Sequence, residues 1–265
     1  MAAETLDPAA LIRTAEQLRA RIEARFPGAS LAGIAGEVVA LIRETAEKAE
    51  RLARPDWVIR LLVAAVLLGG GALAVAAARS VDYQAETSNL FALVQSIEAI
   101  FNIVILGGAA VASLVTVEAR LRRGRVLAAL HPFRAVVHVI DMHQLTKDPA
   151  MVGDDGHRTP VSPKRDMSAF ELSRYLDYCS ELLSLTAKAA ALYALASRDP
   201  VIATSVAEVE RLTANLSQKI WQKIMIVEAR RSDTALAQAL AAGGPAPLRP
   251  VPPAPAAPPT SVAVD

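Results

Sequence analysis

Hydrophobic and polar positions alternate with a helical period along most of this chain, and twice the polar positions vanish. Between Pro8 and Arg54, Leu11, Ala15, Leu18 and Ile22, then Leu31, Ile34, Val38, Leu41 and Thr45 recur at steps of three and four. That spacing predicts two amphipathic helices, separated at Pro27 and Gly28. Acidic and basic residues alternate on the other face, with Glu47 and Arg51 an i,i+4 step apart, as a solvated surface. The stretches 57–78 and 90–117 are apolar on every face. Each reaches the roughly 20 residues that a helix needs to cross about 30 Å of hydrocarbon.

Periodicity resumes at Glu118 and runs to Leu145 through Val126, Leu127, Leu130, Phe133, Val137 and Ile140, with Pro132 as a break or kink. Residues 146–167 are polar and rich in Gly and Pro, a connection. Ser168 with Glu171 three positions later has the form of a capping box, opening a helix to about Arg198 with the stripe Leu172, Leu176, Cys179, Leu183, Ala190 and Tyr193. Asp199 then caps, and Pro200 begins, a last helix to about Leu240. Its stripe is Ile202, Val206, Val209, Leu216, Ile220, Ile224 and Val227. Two long helices joined by so short a turn fold back into an antiparallel hairpin of coiled-coil type. From residue 243 the chain becomes Pro- and Ala-rich, an extended, disordered tail that cannot build a core.

The fold expected is therefore all-α: an N-terminal helical segment (1–56), a transmembrane hairpin (57–117), a second helical domain (118–242) and the tail (243–265). The N-terminal helices are expected to pack on the C-terminal hairpin, since both carry apolar stripes that need cover.

Composition narrows the function less than the architecture. Charged residues make up 21% of the chain and the net charge is +1, with the arginines clustered beside the apolar stretches, so nucleic-acid binding is not expected. The single cysteine, Cys179, excludes an intramolecular disulfide and fits a small core residue. No basic start with an early apolar run precedes residue 57, so a cleaved secretory signal is not expected. The high Ala content, and a set of 28 basic residues that are mostly Arg, suggest a GC-rich bacterium and hence its inner (plasma) membrane.

Orientation follows from basic residues near the span ends. Arg51, Arg54 and Arg60 flank the start of the first span and Arg120, Arg122, Arg123 and Arg125 follow the second, whereas 79–89 holds one Arg against Asp82 and Glu86. Both termini are expected in the cytoplasm. Gly69, Gly70 and Gly71 lie at nearly the depth of Gly107 and Gly108, which suggests glycines facing each other across the membrane hairpin, or contacts between copies.

Candidate chemistry is sparse. Gln95, Glu98 and Asn102 share one face of the second span. A carboxylate inside a membrane helix is a functional candidate. The span, however, is about 42 Å if helical throughout, long enough to bring Glu98 to the outer headgroups. In the segment 130–149, His131, His138 and Asp141 align on a continuous helix, a pattern that suits a metal or acid–base site. It is not an HExxH helix, and a His138–Asp141 hydrogen bond that seats the segment is the simpler reading. No phosphate loop, dinucleotide fingerprint or nucleophile elbow occurs. Catalytic residues, metal ligands and cofactors are not expected. The function expected is a non-enzymatic membrane-anchored scaffold whose partners are the lipid bilayer, further copies of itself or another protein. The alternatives are a small oligomeric channel or transporter subunit using Glu98 and Asn102, and a metal-dependent enzyme built on His138 and Asp141.

Overall fold

A computed structural model describes residues 6–54, 57–79, 89–145, 147, 167–197 and 199–241, and every element among them is a helix. Helices α1 (Pro8–Arg25) and α2 (Ser30–Ala53) form the N-terminal pair. Asp7 starts α1 by accepting from the backbone N–H of Ala9 and Ala10, with Pro8 at the first helical position. Gly28, at φ +75°, takes the left-handed conformation that lets the chain reverse into α2. Next come α3 (Trp57–Arg79) and α4 (Asn89–Ala129), which pack against each other. Helix α5 (His131–Leu145) follows a one-residue break at Leu130, where Pro132 enters the first turn. The connection 146–167 and the tail lie almost wholly outside the described residues.

Helix α6 (Ala169–Ala196) opens on the predicted capping box: Ser168 Oγ accepts from Glu171 N–H, and Glu171 accepts in return from Ser168 N–H. Helix α7 (Pro200–Ala241) leaves Asp199 and runs back along α6, bringing Glu228 within electrostatic reach of Asp177 and Lys223 of Cys179. The two form the most extensive helix pair in the molecule.

The buried residues explain this arrangement. Every residue of the predicted stripes on α1, α2, α6 and α7 is buried, and together with Phe133, Val137 and Ile140 of α5 they form one core. Helix α6 lies at its centre, touching α1, α2, α5 and α7. Its buried set is accordingly wider than one stripe and includes Tyr175, Tyr178, Leu182, Leu185, Thr186 and Leu192. Phe26 packs edge-on against Tyr175 and Tyr178, and Arg21 pairs with Glu181 at 2.6 Å, docking the N-terminal helices onto α6.

Cys179 is fully buried, and desolvation pushes its thiol up to about 12 against the smaller opposing pull of Lys147 and Lys223. We expect a maleimide reagent to leave the native protein unlabelled and to react stoichiometrically once denaturant opens the core.

Candidate functional site

Helices α3 and α4 differ from the rest of the molecule in where their apolar side chains point. No residue in the most apolar 18-residue window of either is buried within the protein. Trp57, Leu61, Leu67, Leu68 and Leu73 of α3 and Ile97, Phe101, Val104, Leu106 and Val115 of α4 are all exposed. The charge-free runs, 61–78 and 99–117, are about 27 and 29 Å long as helices, close to the hydrocarbon thickness of a bilayer.

The body sits at one end of this pair. Three residues separate α2 from α3, and the last turns of α4 carry on from the apolar run into the body, where Val126 is buried. Arg122 reaches back across this junction to donate to the Leu52 carbonyl near the C-terminal end of α2 at 3.4 Å, and pairs with Glu118 at 2.7 Å. Arg123 Nε donates to Asp199 Oδ2 at 2.8 Å, tying α4 to the α6–α7 turn.

Asp199 also caps α7, accepting from Val201 N–H at 2.8 Å. Partial burial favours its neutral form, but the Arg123 hydrogen bond and the Val201 and Ile202 N–H groups outweigh it and hold the carboxyl below the ordinary range. A lowered folded-state pKa means that its stabilisation is complete above the ordinary Asp value of about 3.9 and is lost as pH falls through the lowered value. Asp199→Asn, which keeps a competent cap, is expected to shrink that acid-limb loss in thermal melts recorded between pH 2 and 6.

Between α2 and α4 lies a cavity of about 440 Å³. Lys48, Arg51 and Leu52 on one helix and Arg122, Arg125, Val126 and Ala129 on the other fall at helical spacing, so two facing stripes form its walls. Arg54 and Tyr193 complete it. Of its cations, Lys48 pairs with Glu44, Arg51 with Glu47, Arg54 with Glu50 and Arg122 with Glu118, while Arg125 has no ion pair among the described residues. None of those four acids lines the cavity.

The remaining sequence candidates are placed as follows. Gln95, Glu98 and Asn102 are exposed along α4, and Glu98 bounds the charge-free run at the end far from the body. Of the five glycines, only Gly70 stands against the other helix: a Cβ there would lie 3.6 Å from Ile103 Cγ2. Added Cβ atoms at Gly69, Gly71, Gly107 and Gly108 would meet nothing within 4 Å, so the two glycine groups do not face each other. A glycine is matched with a branched side chain instead, because Ile103 fills the gap that Gly70 leaves.

In α5, His131 and His138 are exposed, and Asp141 accepts from Gln144 Nε2 at 2.7 Å. Two polar contacts seat the segment on α7 among the described residues: Arg134 pairs with Glu208 at 2.7 Å, and Gln144, which is buried, accepts from Lys223 Nζ through its backbone carbonyl, at 2.9 Å, and through Oε1. His143 Nδ1 lies 3.2 Å from Ser30 Oγ. Leu145, expected on the apolar face, is exposed because it lies at the end of α5, where packing stops. Among the described residues, no three His, Cys, Asp or Glu side chains converge as a metal site. His157 lies outside the described residues.

Comparison with known family models, curated proteins and solved structures found no match to this chain.

Proposed function

We propose that this chain is a non-enzymatic integral membrane protein of a bacterial plasma membrane, crossing the bilayer with α3 and α4 and holding its helical body in the cytoplasm as an interaction scaffold. The observation that carries the reading is the contrast in burial between the two sets of helices. In the body the predicted apolar stripes on α1, α2, α6 and α7 are buried throughout and that on α5 is covered except at its last residue, Leu145, whereas more than a dozen large apolar side chains on α3 and α4 are bare. Covering one such side chain is worth about 1.5–3 kcal/mol. Leaving them all in water forgoes more than the roughly 5–15 kcal/mol by which a folded domain is stable. Lipid supplies the missing cover. The basic residues at the body end of the pair support a cytoplasmic body, and Trp57 at the same end suits the membrane interface.

The scaffold reading rests on the body itself, a set of packed helices with solvated faces. Its partner is a second copy or another protein. The channel reading gives Glu98 and Asn102 a polar path between copies. With Glu98 at the far boundary of the charge-free run, an interfacial carboxylate accounts for it at lower cost.

Three experiments test the proposal. Alkaline carbonate extraction of native membranes should leave the chain in the pellet; release into the supernatant would overturn the anchor. Cross-linking in native membranes, followed by identification of the bound species, should return copies of the chain or a defined partner protein. Vesicles holding the purified chain should show no cation flux, and flux abolished by Glu98→Ala would replace the scaffold with the channel.

A further inference from the structure

We infer that the cavity between α2 and α4 is a binding site for a phosphate-bearing anion, the chemistry shared by an anionic lipid headgroup and a soluble phosphate. The inference rests on the membrane reading for its location and on the cavity lining for its chemistry.

The lining is one-sided. Five cations, Lys48, Arg51, Arg54, Arg122 and Arg125, surround about 440 Å³ of space, and no acid joins them among the described residues. Like charges brought this close repel one another, and their acidic partners sit outside the cavity, Glu44, Glu47 and Glu50 exposed and Glu118 partly buried. The three exposed pairs contribute little, typically below about 1 kcal/mol each, so exchanging them for a shared anion costs little. Arg125 has no such pair to give up. Arginine forks match phosphate oxygens in bidentate geometry, and three arginines from two helices can converge on one phosphate.

The depth is right for a headgroup. Arg122 follows the charge-free run of α4 by five residues, about 8 Å along the helix, and Arg125 by about 12 Å. A bilayer of about 40–45 Å overall with a 30 Å core leaves headgroups in the first 5–8 Å beyond the hydrocarbon, the depth of Arg122, and the long Arg125 side chain has to reach back about 4–7 Å to the same layer. On the α2 side, Arg54 stands three residues before Trp57. The apolar part of the lining, Leu52, Val126, Ala129 and the Tyr193 ring, offers a surface for a glycerol backbone or the start of an acyl chain. Basic pockets beside membrane helices on the cytoplasmic side suit anionic headgroups for these reasons.

Bound anion would also bridge α2 to α4, joining the body to the membrane pair at a junction held otherwise by Arg122 and Arg123.

The test uses the full chain purified in a neutral detergent and titrated calorimetrically with short-chain phosphatidylglycerol, with phosphatidylcholine of the same chain length, and with inorganic phosphate. Saturable binding of phosphatidylglycerol, near one per chain and absent for phosphatidylcholine, supports the site with a lipid as its source. Inorganic phosphate binding as tightly as phosphatidylglycerol supports the site with a soluble phosphate as its source. Arg125→Gln should weaken binding about fivefold and Arg54→Gln/Arg125→Gln about 25-fold, the loss expected at about 1 kcal/mol per cation. Neither substitution touches the Arg122 and Arg123 contacts, and unchanged thermal melts would show that the fold survives them. Equal binding of phosphatidylcholine, no saturable binding of any of the three, or affinities unmoved in the double variant would overturn the inference. Carbonate extraction of the same variants separates the two claims: retention with lost anion binding locates the site, and release of the wild type defeats the anchor while leaving phosphate titration interpretable.

Discussion

Leu68→Arg is expected to reduce stable membrane integration of the chain by more than a hundredfold. Leu68 lies near the middle of the charge-free run of α3 and is 76% exposed. An Arg at a span centre costs about 2.5–3.5 kcal/mol and the lost Leu contributes about another 0.5, which together correspond to two to three orders of magnitude in the insertion equilibrium. Were that surface bathed in water, the same substitution would be almost silent, since exposed positions away from special features tolerate change within about 0.5 kcal/mol. The two environments therefore give opposite outcomes from one variant. Carbonate-resistant membrane protein, compared between wild type, Leu68→Arg and the conservative Leu68→Ile, reads the difference directly.

Phe133→Ala is expected to destabilise the body by about 3–5 kcal/mol while leaving membrane retention intact. Phe133 is fully buried, and its ring packs edge-on against Tyr193 with centroids 6.4 Å apart. Removing it takes away the transfer energy of the ring, leaves a cavity where α5 meets α6, and loses the aromatic pair. Against a total stability of 5–15 kcal/mol this is a large fraction. Urea titration of the detergent-solubilised protein, followed by exposure of Cys179 to maleimide, measures it. Because Phe133 lies beyond the apolar run of α4, the variant should stay in the carbonate pellet. Losing stability without losing the anchor would show that the two halves of the architecture answer to different solvents.

The helices were largely legible because burial on one face imposes a period that survives in the sequence. Leu11 to Ile22, Leu31 to Thr45 and Ile202 to Val227 all read as stripes and are all buried. The width of the α6 core was not legible, since four helices surround α6 and their number is a tertiary fact. The continuation of α4 from apolar run into polar body was legible, by contrast, since a helical period resumes at Glu118, and the helix breaks at Leu130 beside Pro132. The site-level readings fared less evenly for a related reason. Gln144 and Lys223 are 79 residues apart, and their contact follows from how α5 lies on α7, which spacing along one helix cannot reveal. The basic residues of α2 and α4 stood out as markers of membrane orientation. That they line one cavity depends on the packing of two segments some 70 residues apart. Glycine depth suggested facing glycines, but depth does not fix the rotation of each helix about its axis, and rotation places Gly70 against Ile103.

Cysteine accessibility across the membrane tests the central claim most directly, and the buried Cys179 supplies a silent background for it. Ser88→Cys, between the two apolar helices, and Glu23→Cys, on α1, would each be treated with a membrane-impermeant maleimide in intact cells and again after permeabilisation. A double crossing with an internal body gives labelling of Ser88→Cys in intact cells and of Glu23→Cys only after permeabilisation. Labelling of both variants in intact cells, or of neither until the membrane is opened, would contradict it.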